Sequence, residues 1–187
     1  WSSDVCSSDL MLLLIDAGNT RIKWALAAPG AAAGQWQSMG SVAHADHAQL
    51  AAAWSGATVT QVLISNVAGD PGAARLRESL QALGVSAAAI RWFRARAECA
   101  GVRNSYAQPE TLGSDRFASL IGARQRFPGE RLLVVTCGTA TTLDALEPNG
   151  EFIGGMIAPG LGTMAESLAI STALLPSVES VARERVF

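Results

Sequence analysis

Two short apolar runs in this 187-residue chain end in the same way, and this repetition constrains the fold more than any other feature of the sequence. Residues 12–15 lead into Asp-Ala-Gly-Asn-Thr at 16–20, and residues 132–135 lead into Thr-Cys-Gly-Thr-Ala at 136–140. Each run reads as a short strand, the first of them buried on both faces, and each reaches a glycine followed by hydroxyl or amide side chains. We therefore expect an α/β protein with a duplicated lobe.

The first half of the chain predicts a three-stranded antiparallel meander, then a strand and a helix. The strands are expected at 12–15, 22–28, 35–42 and 62–65. Leucines at helical spacing predict a helix over 71–83 that Gly84 ends. A strand followed by a helix is typical of an α/β lobe.

The second half repeats the strand pattern after a helix. A helix is predicted within 111–127, starting at or just before Asp115, with Ser114 as the candidate cap. Strands are expected at 132–135, 140–146 and 152–157, with a tight turn at 148–150. A last helix is predicted at 163–169. Two glycine turns of this kind, facing one another, would form a cleft suited to a polyphosphate.

Composition excludes several classes of protein. With 49% hydrophobic and 16% charged residues, the chain is neither disordered nor a coiled coil. A net charge of -2 without a Lys/Arg cluster argues against direct binding to nucleic acid. Three distant cysteines, with no C-x-x-C pair, predict no disulfide framework or zinc site and favour a cytoplasmic protein. The apolar run at 11–15 is too short to span a membrane.

The segment at 16–20 carries the first candidate phosphate and metal site. Gly18 would let the backbone approach phosphate oxygens, Asn19 and Thr20 would donate hydrogen bonds, and Asp16 would hold Mg²⁺ directly or through water. Lys23 would add a point charge. The alternative is an ordinary turn that ends a strand, followed by a surface lysine. Because Lys23 is the only lysine and no glycine directly precedes it, a P-loop is excluded.

A second candidate site lies at the predicted helix start, in the segment that contains Gly113 and Ser114. Asp115 could accept a proton from an attacking hydroxyl. The alternative for Asp115 is a first-turn carboxylate that only complements the helix dipole. Arg116 is less favourable at this end of a helix, which points to an anionic partner.

A third candidate site is the turn of Gly138, Thr139 and Ala140, in a segment with four hydroxyl side chains among residues 136–142. The alternative is a threonine-rich edge strand. His44 and His47 are three residues apart without a third ligand nearby, so we expect a solvated loop rather than a metal site. The G-x-G-x-x-A match at 160–165 is a weak dinucleotide signal, because a hairpin strand and Pro159 precede it.

The ordered set of motifs resembles the type III pantothenate kinase family. It comprises Asp16-x-Gly-Asn-Thr20, Tyr106 with Leu112-Gly-x-Asp-Arg116, Gly138-Thr-Ala-Thr-Thr142 with Asp144, and Gly154-Gly-x-Ile-x-Pro-Gly160. The match runs from Met11 to about Pro176. Each motif is common alone, whereas the order is specific to the family.

This resemblance implies a fold and a domain organisation. The family lies within the superfamily of acetate and sugar kinases, heat-shock ATPases and actin, so we expect actin-like (ribonuclease H-like) lobes with mixed sheets and a phosphate-binding cleft between them. The lobes are expected at 11–105 and 106–187, the second one incomplete. Residues 1–10 read as a non-native leader.

The resemblance also implies an activity, namely ATP-dependent phosphorylation of pantothenate to 4'-phosphopantothenate, the first step of coenzyme A synthesis. The enzyme would be a homodimer that needs Mg²⁺ and a monovalent cation, K⁺ or NH₄⁺. Asp115 would be the catalytic base, and the residues that bind pantothenate would be Tyr106, Gly113, Ser114 and Arg116. The ATP phosphates would be bound by Asp16, Gly18, Asn19, Thr20, Lys23, Gly138, Thr139 and Ala140.

One departure from the family pattern and two alternatives accompany this expectation. Thr136 stands where many members carry an acidic residue, so the monovalent-cation site is not assigned. A regulatory accessory protein of the same family, acting indirectly on transcription, is the first alternative. The second is a phosphohydrolase of the same superfamily, which would not need Arg116 for a pantothenate carboxylate.

Overall fold

The computed structural model describes residues 10–171, and its first sheet is built around the strand that the first apolar run predicts. The strands of this sheet are β1 (Leu10–Ala17), β2 (Arg21–Ala27), β3 (Ser38–Ala43), β4 (Thr58–Asn66) and β5 (Ile90–Phe93). Their order is β3-β2-β1-β4-β5, with β1 antiparallel to β2 and parallel to β4. The predicted antiparallel meander is confirmed, although β3 begins at Ser38 rather than at residue 35.

The main apolar core of this sheet lies on one face. Along β1 the buried side chains are Met11, Leu13, Ile15 and Ala17, while those between them are half-buried. Two helices cover the buried face: α1 (Gln49–Trp54), which the sequence analysis missed, and α2 (Gly69–Ala82). The expectation that the first strand is buried on both faces is therefore wrong. The opposite face is partly open, and it carries the side chain of Asp16.

Two helix ends agree with the sequence. The chain leaves α2 through Gly84, whose left-handed φ of 76° lets the Val85 N–H reach the carbonyl of Leu80. A 3-10 turn at Pro109–Thr111 precedes α3 (Ser114–Arg126). The start of α3 at Ser114 agrees with the predicted start at or just before Asp115. Phe117 in the second turn of α3 is fully buried.

The second sheet contains the strands predicted in the second half of the chain. Its members are β6 (Glu98–Cys99), β7 (Val102–Asn104), β8 (Leu132–Cys137), β9 (Ala140–Leu146) and β10 (Glu151–Pro159). Their order is β6-β7-β10-β9-β8, in which β8, β9 and β10 form an antiparallel meander and β7 runs parallel to β10. The last helix described, α4 (Leu161–Ser171), follows β10 directly.

These elements belong to two units. The first contains the first sheet up to Ala95 together with Glu110–Ala118, and the second contains Arg96–Pro109 and Ser119–Ser171. Each unit has a mixed sheet and a glycine turn inside an antiparallel meander, which confirms the predicted α/β class. The short strands β5, β6 and β7 were not predicted. The expected leader, apart from Leu10, lies outside the described residues. Across residues 10–171, every helix is too short or too polar to cross a bilayer.

Candidate active site

A row of side chains crosses the first sheet near the end of β1. Asp16 is paired in register with Lys23 on β2 and with Ser65 on β4. Paired residues on neighbouring strands project from the same face, so all three lie opposite the buried side chain of Leu13. The Lys23 Nζ lies 3.5 Å from the Asp16 Oδ2. Lys23 is thus exposed on a strand, as the surface-lysine alternative predicts. Its ammonium group is also paired with the candidate metal ligand, Asp16.

The Asp16 carboxylate is only partly stabilised by its neighbours. Its Oδ1 is buried and has no hydrogen-bond partner among residues 10–171. Burial raises the pKa of this carboxyl group above its ordinary value of 3.8, Lys23 opposes the rise, and the charge of Asp115 adds to it. A partly buried carboxylate next to a second carboxylate favours a bound cation, and carboxylate oxygens are the ligands that Mg²⁺ prefers. The residues present therefore fit a divalent cation at Asp16.

The start of α3 is fixed to the same face of the sheet by one hydrogen bond and one ring contact. The Oγ atoms of Ser65 and Ser114 lie 2.9 Å apart, and both residues are buried. Phe93, which pairs in register with Ser65, stacks on Phe117 with ring centroids 5.9 Å apart. These contacts place the first turn of α3, and with it Asp115, close enough to Asp16 to affect the titration of that carboxyl group.

The backbone at the start of α3 is shaped around the Asp115 carboxylate. Its Oδ1 accepts a hydrogen bond of 2.8 Å from the N–H of Arg116. A β-carbon at position 113 would lie 2.5 Å from the same oxygen, so Gly113 leaves the space that this carboxylate occupies. Arg116 is only 8% exposed, and its burial in a first turn is costly without compensation. The predicted catalytic base and the predicted anion-binding residue are therefore adjacent and both held in place.

In the Gly18 turn, both the backbone N–H and the backbone carbonyl of the glycine have hydrogen-bond partners. The Gly18 N–H donates to the carbonyl of Arg21 at 3.1 Å, and the Gly18 carbonyl lies 2.7 Å from the Nε2 of His44. Asn19 and Thr20 are exposed. The φ of Gly18 is outside the left-handed region, and a β-carbon there would meet its nearest neighbour at an ordinary 3.5 Å. Neither backbone conformation nor packing therefore requires glycine at this position.

The corresponding turn of the second unit has the same property. The Gly138 N–H donates to the carbonyl of Ala140 at 3.0 Å, and a β-carbon on Gly138 would lie 3.8 Å from that oxygen. The Thr139 carbonyl accepts hydrogen bonds from the Gly160 N–H and the Thr163 hydroxyl, at 2.9 and 3.3 Å. This turn is therefore anchored to the start of α4 while the space above Gly138 stays open.

Close packing explains the glycine at position 160 without a dinucleotide-binding motif. A side chain at this position would collide with the carbonyl oxygens of Gly138 and Thr139. The strand before it, β10, is joined to β9 as an antiparallel hairpin. The match at 160–165 thus reflects close packing of the turn against α4.

Tyr106 is held by its neighbours in the second unit. Its N–H donates to the Asn104 Oδ1 at 3.1 Å, and the Asn104 Nδ2 donates to the Pro109 carbonyl at 2.9 Å. Its ring packs against Phe152 with centroids 5.3 Å apart. The side chain is half-buried, as a ligand-binding residue on a structured loop would be.

Buried polar groups also lie on the strands beside Gly138. Thr136 is exposed and pairs in register with Thr142, whose Oγ1 is buried with no hydrogen-bond partner within the described chain. Asp144, on the same face as Thr142, is 1% exposed. A carboxylate at a buried position of a strand that alternates between buried and half-buried residues can be recognised in the sequence as unusual. Asp144 was named in the sequence analysis only as part of a motif.

Two residues of the site escaped sequence reasoning. Ser65 contacts Ser114 from 49 positions away, and His44 contacts Gly18 from 26 positions away. The expectation that His44 lies in a solvated loop is wrong, because its ring is half-buried against the first turn. Within residues 10–171 His, Cys, Asp and Glu side chains form no cluster of three or more that would be a metal site by itself.

Comparison with known proteins gives the motifs a family context. The family model for type III pantothenate kinase matches residues 12–187. Type III pantothenate kinases of Janthinobacterium sp. and Herminiimonas arsenicoxydans are 55% and 52% identical over 172 and 174 residues, which cover 90% of this chain. The chain spans 66% of the length of each of these relatives.

One solved structure has a similar fold. A crystal structure described as a Baf family transcriptional activator from Campylobacter jejuni matches with a TM-score of 0.50 and 19% identity, covering 86% of this chain and 60% of that one. This likeness concerns the fold alone. The family model, together with two relatives that share more than half of the aligned residues, settles the classification: this chain belongs to the type III pantothenate kinase family.

Proposed function

We propose that this protein transfers the γ-phosphoryl group of ATP to pantothenate, giving 4'-phosphopantothenate and ADP, as the first step of coenzyme A synthesis. The observation that carries the proposal is the buried Ser65–Ser114 contact in the first unit, which joins the strand beside Asp16 to the helix start that carries Asp115. Kinases commonly use one carboxylate to hold a metal ion and another to accept the proton of the attacking hydroxyl. Family membership supports the choice of substrates.

The ATP phosphates are bound by two glycine turns in this proposal. In the first, Gly18 allows close approach, Asn19 and Thr20 donate hydrogen bonds, and Lys23 contributes a positive charge. In the second, Gly138, Thr139 and Ala140 contribute their backbone. The open space at each glycine, without any conformational need for it, supports both assignments.

Asp16 holds the divalent cation in this proposal, and that cation is Mg²⁺. The unpartnered, buried Oδ1 of Asp16 supports the assignment. When bound, Mg²⁺ neutralises charge on the transferring phosphate. The monovalent cation, K⁺ or NH₄⁺, is proposed from the family alone, and no residue of this chain is assigned to it.

Asp115 and its neighbours act on pantothenate. Arg116 pairs with the pantothenate carboxylate, and Tyr106, Gly113 and Ser114 line the substrate. The pantothenate hydroxyl oxygen attacks the γ-phosphorus, the bond from that phosphorus to the β,γ-bridging oxygen breaks, and ADP leaves. The hydroxyl proton passes to the Asp115 carboxylate and then to solvent. Backbone N–H groups of the turns offset the charge that develops in the transition state.

The protein is further proposed to act as a cytoplasmic homodimer without a direct nucleic acid or membrane partner. Family membership supports the dimer, and the net charge of -2 supports the absence of nucleic acid. Light scattering after size exclusion tests the dimer, and a gel shift with purified protein tests the last point.

The central experiment measures ATP-dependent formation of 4'-phosphopantothenate by the complete open reading frame that contains these residues. Wild-type protein should form product only with ATP and Mg²⁺ present, and Asp115→Asn should reduce kcat on the order of a hundredfold or more. Glu130→Gln changes an exposed carboxylate outside the site and is the matched control. Lack of product from the wild type, or equal rates for wild type and Asp115→Asn, would exclude this assignment.

A further inference from the structure

We propose that His44 is a positioning residue for the phosphate turn: it holds the Gly18 carbonyl and thereby aims the N–H of Asn19 at the ATP phosphates. This inference rests on the proposed function, because it assumes that the Gly18 turn binds the ATP phosphates. Its basis is the 2.7 Å contact between the His44 Nε2 and the Gly18 carbonyl oxygen, together with the half-buried position of the ring.

The chemistry of this contact fixes the state of the ring. A carbonyl oxygen can only accept, so the hydrogen in this bond is carried by the His44 Nε2. The other ring nitrogen, Nδ1, is buried and has no hydrogen-bond partner in the described chain. An apolar side chain in this place would avoid leaving Nδ1 unpaired. The bond to Gly18 is therefore the physical reason for a histidine at this position.

The sheet register brings His44 to the turn. β3 ends at Ala43, which is paired with Arg21, the first residue of β2 after the turn. The Arg21 guanidinium also donates to the hydroxyl of Ser41, at 2.9 and 3.1 Å, and to its carbonyl at 3.1 Å. The end of β3 is thus fastened to the start of β2, and the next residue, His44, lies beside Gly18.

Holding the Gly18 carbonyl determines where the following N–H points. The peptide between Gly18 and Asn19 is planar and trans, so its N–H points away from the carbonyl that His44 holds. The Gly18 N–H is already used by the Arg21 carbonyl. With its carbonyl held by His44, the Gly18–Asn19 peptide plane is restricted in rotation, and the Asn19 N–H favours one direction. A donor fixed before binding loses less entropy when it contacts a phosphate.

The test compares three variants of the complete protein by their affinity for ATP and by their kinetics. His44→Leu removes the donor, and His44→Gln can place an amide N–H near the position of Nε2. His47→Gln changes the neighbouring histidine, whose Nδ1 lies 3.1 Å from the His44 carbonyl oxygen. His44→Leu should weaken ATP binding and raise the KM for ATP by about three- to tenfold, the effect of one hydrogen bond. The KM for pantothenate should stay within about twofold.

Rescue by His44→Gln and amide hydrogen exchange distinguish a loss of positioning from a general loss of structure. His44→Gln should restore ATP affinity to within about threefold of wild type, and His47→Gln should match wild type. Amide exchange across 17–21, measured without nucleotide, should quicken in His44→Leu and not in His44→Gln. Wild-type ATP affinity in His44→Leu, or equal loss in both His44 variants, would overturn the inference.

Failure of the proposed function gives a different pattern. If the wild-type protein binds no ATP, the kinase proposal fails, and the nucleotide role of His44 fails with it. If the wild type binds ATP and exchange across 17–21 is the same in His44→Leu, the kinase proposal stands and the His44 inference alone is lost.

Discussion

The hydroxyl groups of Ser65 and Ser114 lie 2.9 Å apart in a buried contact that joins the end of β4 to the first residue of α3. Ser65 is the register neighbour of Asp16, and Ser114 precedes Asp115 in the chain. One side-chain hydrogen bond therefore links the strand that carries the proposed metal ligand to the helix that carries the proposed base. We therefore expect this bond, together with the Phe93–Phe117 ring contact, to hold the two carboxylates at a fixed spacing.

Replacing either serine with alanine should cost stability and activity together. Ser65→Ala leaves the Ser114 hydroxyl buried without its partner, which costs about 1–3 kcal/mol. The double variant Ser65→Ala/Ser114→Ala should recover part of that loss, because no unpaired hydroxyl remains. The value of kcat should fall in all three variants, since the start of α3 is less firmly held. Urea unfolding and initial rates measure both quantities.

Ser55→Ala provides the matched control for this cycle. The Ser55 hydroxyl bonds to the Ala52 carbonyl at 2.8 Å on the exposed surface, so its loss should cost less than either buried change. Strictly additive free energies for the Ser65 and Ser114 variants would show that the two hydroxyls do not interact in solution.

Asp16 should destabilise the folded protein at neutral pH when no cation is bound. Its pKa is raised in the folded state, chiefly by burial and further by Asp115, above the ordinary value of 3.8. A raised carboxyl pKa contributes stability that is complete below pH 3.8 and is lost as pH rises through the folded-state value. The advantage of Asp16→Asn over wild type, in free energy of unfolding, should therefore grow from about pH 3 to pH 7.

The comparison is made by urea unfolding over that pH range without divalent cations. Asp46→Asn, which changes an exposed carboxylate after β3, is the control. Added Mg²⁺ should then raise the melting temperature of wild type and not of Asp16→Asn. A constant difference between the two proteins at every pH would contradict the electrostatic account.

The sequence predicted what depends on local pattern and missed what depends on long-range contact. Apolar runs and turn residues correctly gave both meanders and the start of α3, because those features are encoded within a few residues. Ser65 and His44 could not be found this way, since each acts on a residue that only the sheet register brings near. Arg116 was singled out because a cation at a helix start conflicts with the helix dipole, and such conflicts are typical of functional sites.

Methyl groups at Gly18 and Gly138 should leave the fold intact and weaken ATP binding. Neither glycine has a left-handed φ, and a β-carbon at either would meet its neighbours no closer than 3.5 Å. The free energy of unfolding of Gly18→Ala and Gly138→Ala should change by no more than about 0.5 kcal/mol. Affinity for ATP should fall on the order of tenfold in each, because the methyl group occupies the approach of a phosphate.

Gly160→Ala is the opposite case and serves as the comparison. Its β-carbon would collide with the carbonyl oxygens of Gly138 and Thr139, so it should lose about 1–3 kcal/mol of stability. Full ATP affinity in both Gly18→Ala and Gly138→Ala would mean that neither turn approaches the phosphates, whereas loss in only one would assign binding to that turn alone.

Arg116→Lys should raise the KM for pantothenate while leaving the KM for ATP nearly unchanged. Lysine keeps the charge in this buried position but loses the planar, two-pronged geometry with which a guanidinium binds a carboxylate. The expected increase is on the order of tenfold for pantothenate and less than about twofold for ATP. Arg126→Lys, at the exposed end of the same helix, should behave as wild type. If both KM values rise together with a lower melting temperature, Arg116 supports the structure of α3 instead of binding the substrate carboxylate, because a general loss of order would affect both substrates.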